Sequence, residues 1–144
     1  PPLLEIYLHL RARGKSKKNN YESNLMKELA IICDLEDALF TGTKINQSVS
    51  DLLFSYRHET VVVVISQFPE AKRAEAQALL NEAGMPRAEL LMWGENHEVV
   101  AEDFLRKVDE KYTVLFSICS PASEEFWRKM GIDTLTFNSA QNER

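Results

Sequence analysis

Three carboxylates follow a buried strand in the first third of this chain, and their spacing is suited to phosphate chemistry. The apolar run Leu29–Cys33 predicts the strand, and Asp34, Glu36 and Asp37 come directly after it. Carboxylates gathered at one strand end can serve as a nucleophile, as a general acid and as ligands of a hard divalent cation. The sequence therefore predicts the beginning of a phosphoryl-transfer site at this point.

Length and composition are those of one soluble globular domain. The chain has 144 residues, of which 44% are hydrophobic and 27% charged, and these values exclude general disorder. Apolar runs such as Val61–Ile65 are too short to cross a bilayer, and we expect no leader peptide. Two cysteines in apolar runs, Cys33 and Cys119, are typical of a reducing compartment. We therefore expect a cytoplasmic protein with no membrane partner, and the absence of an initiator Met suggests excision from a longer polypeptide.

A basic arm precedes an acidic body. The net charge is −5, yet residues 11–18 carry five positive charges and no acid, namely Arg11, Arg13, Lys15, Lys17 and Lys18. Such charges can contact the phosphates of a nucleic acid and release counterions. No aromatic residue lies among them to stack on a base. A solvated linker is therefore the favoured interpretation, and phosphate contact is the alternative.

The chain divides into three predicted segments. An N-terminal helix and basic linker take residues 1–24, a compact domain takes residues 25–138, and a flexible tail takes residues 139–144. In the N-terminal helix, Leu4, Tyr7 and Leu8 fall on one face at helical spacing. That face has no place in the predicted core, so we expect it to dock onto another surface.

Strand and helix patterns alternate through the compact domain, which is typical of a parallel α/β sheet. After the first strand, four further apolar segments predict strands, at Thr60–Ile65, Leu90–Trp93, Val114–Ile118 and Thr134–Phe137. Helices are predicted in the intervals, at Ser48–Arg57, from Pro69 to Gly84, before Tyr112, and from Ser120 to Gly131. The second of these is expected to direct one row of side chains to the sheet, Ala71, Ala74, Ala78 and Leu79.

These residues resemble the haloacid dehalogenase (HAD) superfamily, and within it the 3′-phosphatase domain of phage-type polynucleotide kinase-phosphatases. The resemblance runs from about Leu29 to Phe137 and is best from Glu98 to Ile132. It implies a three-layer α/β/α sandwich with a five-stranded parallel Rossmannoid sheet, and a site at the carboxyl ends of the strands. The insertion after the first strand is short, which implies an open site without a large cap domain.

Two parts of the family's catalytic site are matched by position. Asp34 stands where the family has its nucleophile, Glu36 in the position of the general acid and Ala38 in that of a Thr. Ser66 matches the residue that binds the transferring phosphoryl group, although Gln67 follows it in place of the usual Gly. Glutamate is one methylene longer than aspartate, so the acid would present its proton from a different point.

Two further parts are missing. Ala101 stands where the resemblance places a Lys that neutralises the phosphoryl oxygens, and Ile118 and Cys119 replace the pair of acids that holds Mg²⁺. Neither an alkyl group nor a thiol is a ligand for this hard cation. The loss of one such electrostatic contribution typically lowers the rate by about 10²-fold to 10³-fold. The sequence therefore predicts almost no turnover and no bound cofactor.

The favoured interpretation is a catalytically inactive member of the superfamily that is retained as a binding module. A protein partner or a second copy of the chain is expected, with nucleic acid as a further candidate through the basic arm. The resemblance connects such a module to nucleic-acid end processing or repair, by analogy of fold alone.

The competing interpretation is a working Mg²⁺-dependent phosphatase, similar to the polynucleotide 3′-phosphatases. Asp34 would be the nucleophile and Asp37 would lend the metal an oxygen, with the acid and the phosphate-binding Ser in their family roles. Lys72 or Lys107 would replace the missing Lys. A third interpretation, thiol chemistry by Cys119, lacks a neighbouring base, because the histidines lie elsewhere in the sequence, at His9, His58 and His97.

Overall fold

The computed structural model describes residues 27–94, 103 and 106–137. The strands within these residues are β1 Glu28–Asp34, β2 Phe40–Thr41, β3 Lys44–Ile45, β4 Val61–Ser66, β5 Glu89–Met92, β6 Tyr112–Cys119 and β7 Thr134–Thr136. The helices are α1 Gln47–Ser55, α2 Arg73–Glu82, α3 over helical residues 106–111, and α4 Glu124–Lys129. Two 3₁₀ turns lead into α2 and α4, at Glu70–Lys72 and Pro121–Ser123.

Five strands form one parallel sheet in the order β5-β4-β1-β6-β7. The central strand is β1, in which Asp34 lies opposite Ile65 of β4 and Cys33 lies opposite Ile118 of β6. The chain first builds the sheet on one side of β1 and then crosses to the other side, so the strand order reverses at β1. Sheets of this kind bind ligands outside the carboxyl ends of the strands, at the point of reversal. The carboxyl end of β1 is therefore where this fold directs a ligand.

Helices cover both faces of the sheet and give three layers. Right-handed crossovers put α1 and α2 on one face and α3 and α4 on the other. Two separate clusters of buried side chains reflect this division, since Leu53 and Leu80 belong to the first, and Val108 and Trp127 to the second. Because both faces are covered, the strands are continuously apolar, as in Val61–Ile65.

The structure confirms the predicted fold class, an α/β sandwich with a five-stranded parallel sheet. All five predicted strands are present, with ends displaced by at most two residues. Only a small hairpin (β2 and β3) and α1 lie between β1 and β4. The sequence did not predict this hairpin, because strands of two residues carry no periodic pattern. Gly42 forms its turn with a left-handed φ of 62°, which glycine adopts without steric cost.

The inward face predicted for α2 and its leading turn is wrong. Three alanines expected to face the sheet are exposed, Ala71, Ala74 and Ala78. Ala76 and Leu80 are buried instead, and Leu79 is partly buried against the core. Alanine occupies several sides of this helix, so its sequence carries little amphipathic signal. The position of the larger Leu80 decides which face packs on the sheet.

No helix within residues 27–94 and 106–137 is long and apolar enough to span a membrane. The predicted N-terminal helix, with Leu4, Tyr7 and Leu8, lies outside the described residues. The tail at residues 139–144 lies outside them too. The predicted boundaries of the three segments therefore stay predictions.

Candidate functional site

Three side chains of catalytic type lie at the carboxyl edge of the sheet, because three neighbouring strands end there. Asp34 is the last residue of β1, Ser66 of β4 and Cys119 of β6. Mostly apolar residues hold the rest of each strand in the core, and these three side chains come at the rim. All three side chains are buried, with exposed fractions of 5%, 0% and 0% respectively.

Glu36 joins the ends of β1 and β4. Its Oε2 accepts a 2.7 Å hydrogen bond from the Ser66 hydroxyl, and its Oε1 accepts a 2.7 Å bond from the backbone NH of Gln67. The Ser66 oxygen in turn accepts a 3.2 Å bond from the NH of Phe68. A hydroxyl and an amide suited to binding an oxyanion are thus both engaged by a carboxylate of the chain itself.

A tight loop after β1 positions Glu36 for this contact. The backbone NH of Leu39 donates to the carbonyl of Asp34 at 3.1 Å, and the NH of Asp37 donates to the carbonyl of Phe40 at 2.8 Å. Asp37 has a left-handed φ of 63°, a conformation in which Asp and Asn are enriched among non-glycine residues. The Asp37 side chain is exposed. The loop therefore turns one carboxylate inward at Glu36 and the next one towards solvent.

Burial raises the pKa of the Asp34 carboxyl from 3.8 to about 6. Loss of hydration is the largest cause, and the nearby charge of Glu36 adds to it. Polar contacts with the Ser123 hydroxyl, the Ser120 backbone NH and the Trp127 indole lower the pKa without cancelling the effect of burial. One carboxyl oxygen, Oδ2, has no hydrogen bond of good geometry. The segment after β6 therefore covers Asp34 but provides hydrogen-bond donors for only part of its carboxylate.

The end of β6 does not fit a magnesium site. Ile118 and Cys119 stand where the resemblance places two acids, and they are 2% and 0% exposed. Burial raises the pKa of the Cys119 thiol to about 11, and the charge of Asp34 adds to the shift. The thiol is therefore protonated at neutral pH, which disfavours thiol chemistry as well as coordination of a hard cation. Within the described part of the chain, no group of three or more His, Cys, Asp or Glu side chains is arranged to hold a metal ion.

The two substitute cations of the competing interpretation are both paired at the surface. Lys72 lies 3.5 Å from Glu75, and Lys107 lies 3.2 Å from Asp103. Lys72 also lines a pocket of about 330 Å³ beside the loop after β1, so it is the nearer candidate for a role in the site. Ala101, the position of the missing Lys, lies outside the described residues.

Other sequence-predicted residues cannot be placed in the site. The basic arm lies outside the described residues, with Arg11, Arg13, Lys15, Lys17 and Lys18. His9 and His97 lie outside them as well, and His58 is exposed after the end of α1. The proposed phosphate contacts of the arm therefore stay predictions.

Sequence reasoning missed the contribution of α4 to this site. Trp127 lies on the helix predicted from Ser120 to Gly131, and its side chain is fully buried. The contact between Trp127 and Asp34 was not predicted, because Asp34 ends β1 whereas Trp127 lies on α4, which follows β6. Trp127 also packs with Trp93 and Phe126, with ring centroids 5.4 Å and 5.2 Å away. One local signal was the helix start at Ser120-Pro121, which predicts that polar groups of the first helical turn lie at the end of β6.

No protein-family model matches this chain, and no curated protein matches it. Solved structures of similar fold do match it. A chain in the structure of a Pnkp1/Rnl/Hen1 complex superposes with a TM-score of 0.67 at 20% identity, over 78% of this chain and 47% of that chain. A chain in the structure of the Pnkp1/Rnl/Hen1 RNA repair complex gives a TM-score of 0.65 at 20% identity, over 78% of this chain and 43% of that chain. This chain thus spans less than half the length of each, and what it shares with them is the fold.

Proposed function

We propose that this chain is a catalytically inactive protein of the HAD superfamily, a pseudophosphatase that serves as an interaction module in RNA end processing. Two observations support membership of the superfamily: the carboxylate of Asp34 at the end of the central strand β1, and the resemblance of the sequence to polynucleotide 3′-phosphatases. The RNA repair complex that contains a protein of similar fold supports the RNA context. The state of the side chains around Asp34 supports the loss of catalysis.

The double hydrogen bond of Glu36 is the observation that carries this proposal. A phosphatase of this kind needs the hydroxyl of Ser66 and the following backbone NH to bind the phosphoryl group. Here both groups donate to the Glu36 carboxylate, each at 2.7 Å. An incoming phosphate must displace an anion that is covalently tethered at the site and that repels it. The Glu36 carboxylate therefore occupies the position that the phosphate of a substrate would take.

The surroundings of Asp34 support the same conclusion. A nucleophilic carboxylate must reach the phosphorus atom of the substrate, but Asp34 is only 5% exposed. Clustered carboxylates without a cation repel each other and lose hydration, so replacing two of them by Ile118 and Cys119 relieves that repulsion. Apolar substitution at these positions is favourable only when metal binding is no longer required.

A protein is the proposed partner, either a component of an RNA-processing assembly or a second copy of this chain. Two large apolar side chains are about half exposed at the rim of the sheet, Phe68 at 51% and Leu135 at 49%. Leu135 lies on β7, an edge strand of the sheet, and edge strands can pair with a partner chain. RNA contact is assigned to the basic arm at residues 11–18.

Phosphate release from a 3′-phosphorylated RNA oligonucleotide in the presence of Mg²⁺ tests the loss of catalysis. The wild-type protein is expected to release no more phosphate than Asp34→Asn does. Wild-type turnover that Asp34→Asn abolishes would contradict the proposal and would favour the phosphatase with displaced groups. Lys72→Ala would then show whether this side chain replaces the missing Lys.

A salt series of RNA binding, followed by fluorescence anisotropy, tests the role assigned to the basic arm. If the arm contacts phosphates, log affinity falls linearly with log salt concentration, and replacing Arg11 and Arg13 by Ala makes the slope shallower. An affinity that does not respond to salt would remove the arm as an RNA contact. The protein partner would then be the remaining part of the proposal.

A further inference from the structure

A groove of about 480 Å³ lies at the amino-terminal end of β4, opposite to the candidate site. Its walls come from α1 and from the loop between α2 and β5. The lining residues on which the following argument depends are Leu53, Phe54, Arg57, Val62, Met85 and Arg87.

The groove combines apolar surface with positive charge. Phe54 is 62% exposed, and Val62 and Met85 are only partly buried where they pack on the core. The guanidinium of Arg57 lies 3.8 Å from the centroid of the Phe54 ring, and its Nη1 donates to the Phe54 carbonyl at 2.9 Å. This cation–π contact holds a cation at the groove edge. Both charged residues of the lining, Arg57 and Arg87, are cations.

The described chain enters the sheet beside this groove. β1 starts at Glu28, and Ala30 lies opposite Val61, which lines the groove at the start of β4. Leu29 packs on the same core cluster as Val62, so the entering chain lies on the face of the sheet that carries the groove. The segment that precedes β1 is therefore tethered next to the groove.

We infer that the apolar N-terminal segment, residues 3–10, docks in this groove of its own chain. The segment is Leu-Leu-Glu-Ile-Tyr-Leu-His-Leu, which offers aliphatic and aromatic side chains to the apolar walls. It carries one carboxylate, Glu5, which complements the positive charge of Arg57 and Arg87. Docking of an amphipathic segment in an apolar groove is a common mode of peptide recognition.

The connection between segment and groove favours docking within one chain over docking between chains. Residues 11–27 join the segment to the start of β1 at Glu28, and a chain of that length spans about 55 Å when extended. Such a tether gives the segment an effective concentration in the millimolar range at the groove. A segment this short is unstable as an isolated helix, so the groove supplies the apolar surface on which it can be ordered.

A photo-crosslink from the segment tests this inference on the full chain. His9→Cys, next to the docking face, is labelled with a benzophenone maleimide, which spares Cys33 and Cys119 because both are buried with raised thiol pKa values. The expected crosslinks are intramolecular, fall at residues 54–62 and 83–88, and have the same yield at low and high protein concentration. Mass spectrometry of the digested protein identifies them.

Negative charge introduced into the groove provides the matched comparison. In the labelled protein, Arg57→Glu and Met85→Glu are each expected to abolish the groove crosslinks, whereas Ala78→Glu on the exposed face of α2 is expected to leave them unchanged. Circular dichroism verifies that each variant is folded. Crosslinks at other residues, or crosslinks that survive both groove substitutions, would overturn the inference. Intermolecular crosslinks that increase with concentration would assign the groove to a second copy and overturn it as well.

Discussion

The two ends of the parallel sheet differ in what covers them. At the carboxyl end, Asp34 is 5% exposed, and Glu36 takes up the hydrogen-bond donors at the end of β4. At the amino end, Phe54 is 62% exposed on a groove of about 480 Å³. At the end to which strand order directs a ligand, side chains of this chain cover Asp34 and take up the donors, and a pocket of about 330 Å³ remains beside the loop after β1. The opposite end carries an apolar groove with an exposed aromatic side chain.

This difference shows that a fold fixes where a binding crevice can form and that side chains decide whether it does. The reversal of strand order at β1 is intact, so the position for a ligand exists. At that position Trp127 lies against Asp34, and Glu36 binds Ser66. Substitutions at the two ends therefore test whether the carboxyl end is a filled core and the amino end a usable surface.

The largest effect is expected for Trp127→Ala at the carboxyl end. Trp127 is fully buried, packs 5.4 Å from Trp93 and contacts the Asp34 carboxyl. Its truncation leaves a cavity beneath the site and should lower the free energy of unfolding by about 3 to 5 kcal/mol, as measured by urea denaturation. Phe54→Ala is the matched aromatic truncation at the amino end and should destabilise far less. Equal losses at the two ends would contradict the comparison.

Asp34→Asn is expected to stabilise the protein at neutral pH. The carboxyl pKa is about 6 in the folded protein and 3.8 without burial, so the folded state holds the proton more tightly. Stability is therefore lost as the pH rises from about 4 to about 6, and it stays at the lower level above that range. Asparagine removes this loss, which is at most about 3 kcal/mol.

Urea denaturation at neutral pH and at a pH about one unit below that range checks the prediction for Asp34. The gain from Asp34→Asn should vanish at the lower pH, where the wild-type carboxyl is protonated in both states. Asp37→Asn is the control, because Asp37 is exposed on the same loop. A variant that is less stable than wild type at neutral pH would mean that the ionised Asp34 makes favourable contacts, as in a working site.

Glu36→Ala is expected to lower the free energy of unfolding by about 1 to 3 kcal/mol, because it leaves the buried Ser66 hydroxyl and the Gln67 amide without their acceptor. Sulfate should then stabilise this variant more than the wild type, since an oxyanion can take the place of the carboxylate. Thermal denaturation with and without sulfate measures both effects. Glu36→Gln keeps one acceptor oxygen and should lose less. Equal stabilisation of wild type and Glu36→Ala by sulfate would show that the donors are accessible in the native protein.

The smallest effect is expected for Lys72→Ala. Its side chain is 51% exposed and pairs with Glu75 at 3.5 Å, and exposed pairs of this kind contribute about 1 kcal/mol or less. We therefore expect the free energy of unfolding, measured by urea denaturation, to fall by no more than this amount. Lys107→Ala is the control. A much larger loss would place the Lys72 ammonium inside the site and would weaken the view that the carboxyl end lacks a catalytic cation.

Much of the fold could be predicted because its signals are local. The valines at 61–64 indicate a buried strand by themselves, and Pro121 indicates the helix start at which a 3₁₀ turn leads into α4. The end of that helix is marked by Gly131, whose φ is 77°. The face of α2 and the β2–β3 hairpin were missed, since alanines and two-residue strands carry too little pattern.

The site could be predicted only as a set of positions. The sequence placed Asp34, Ser66 and Cys119 at strand ends, because parallel strands end at a common edge. The bond between Ser66 and Glu36 joins residues 30 apart in sequence, and the contact of Asp34 with Trp127 joins residues still farther apart. Such contacts depend on loop conformation and helix orientation, which no local pattern encodes.

Because β1 is the first strand of the sheet to be synthesised and also its central strand, one of its edges stays unpaired on the ribosome until β6 has emerged. Roughly 80 residues separate them, which takes about 4 to 16 seconds at ordinary elongation rates. During that interval Ile31 and Ile32, fully buried in the finished protein, lie on an open strand edge that can pair with other nascent chains. The yield of soluble protein should therefore depend on chaperone supply and growth temperature.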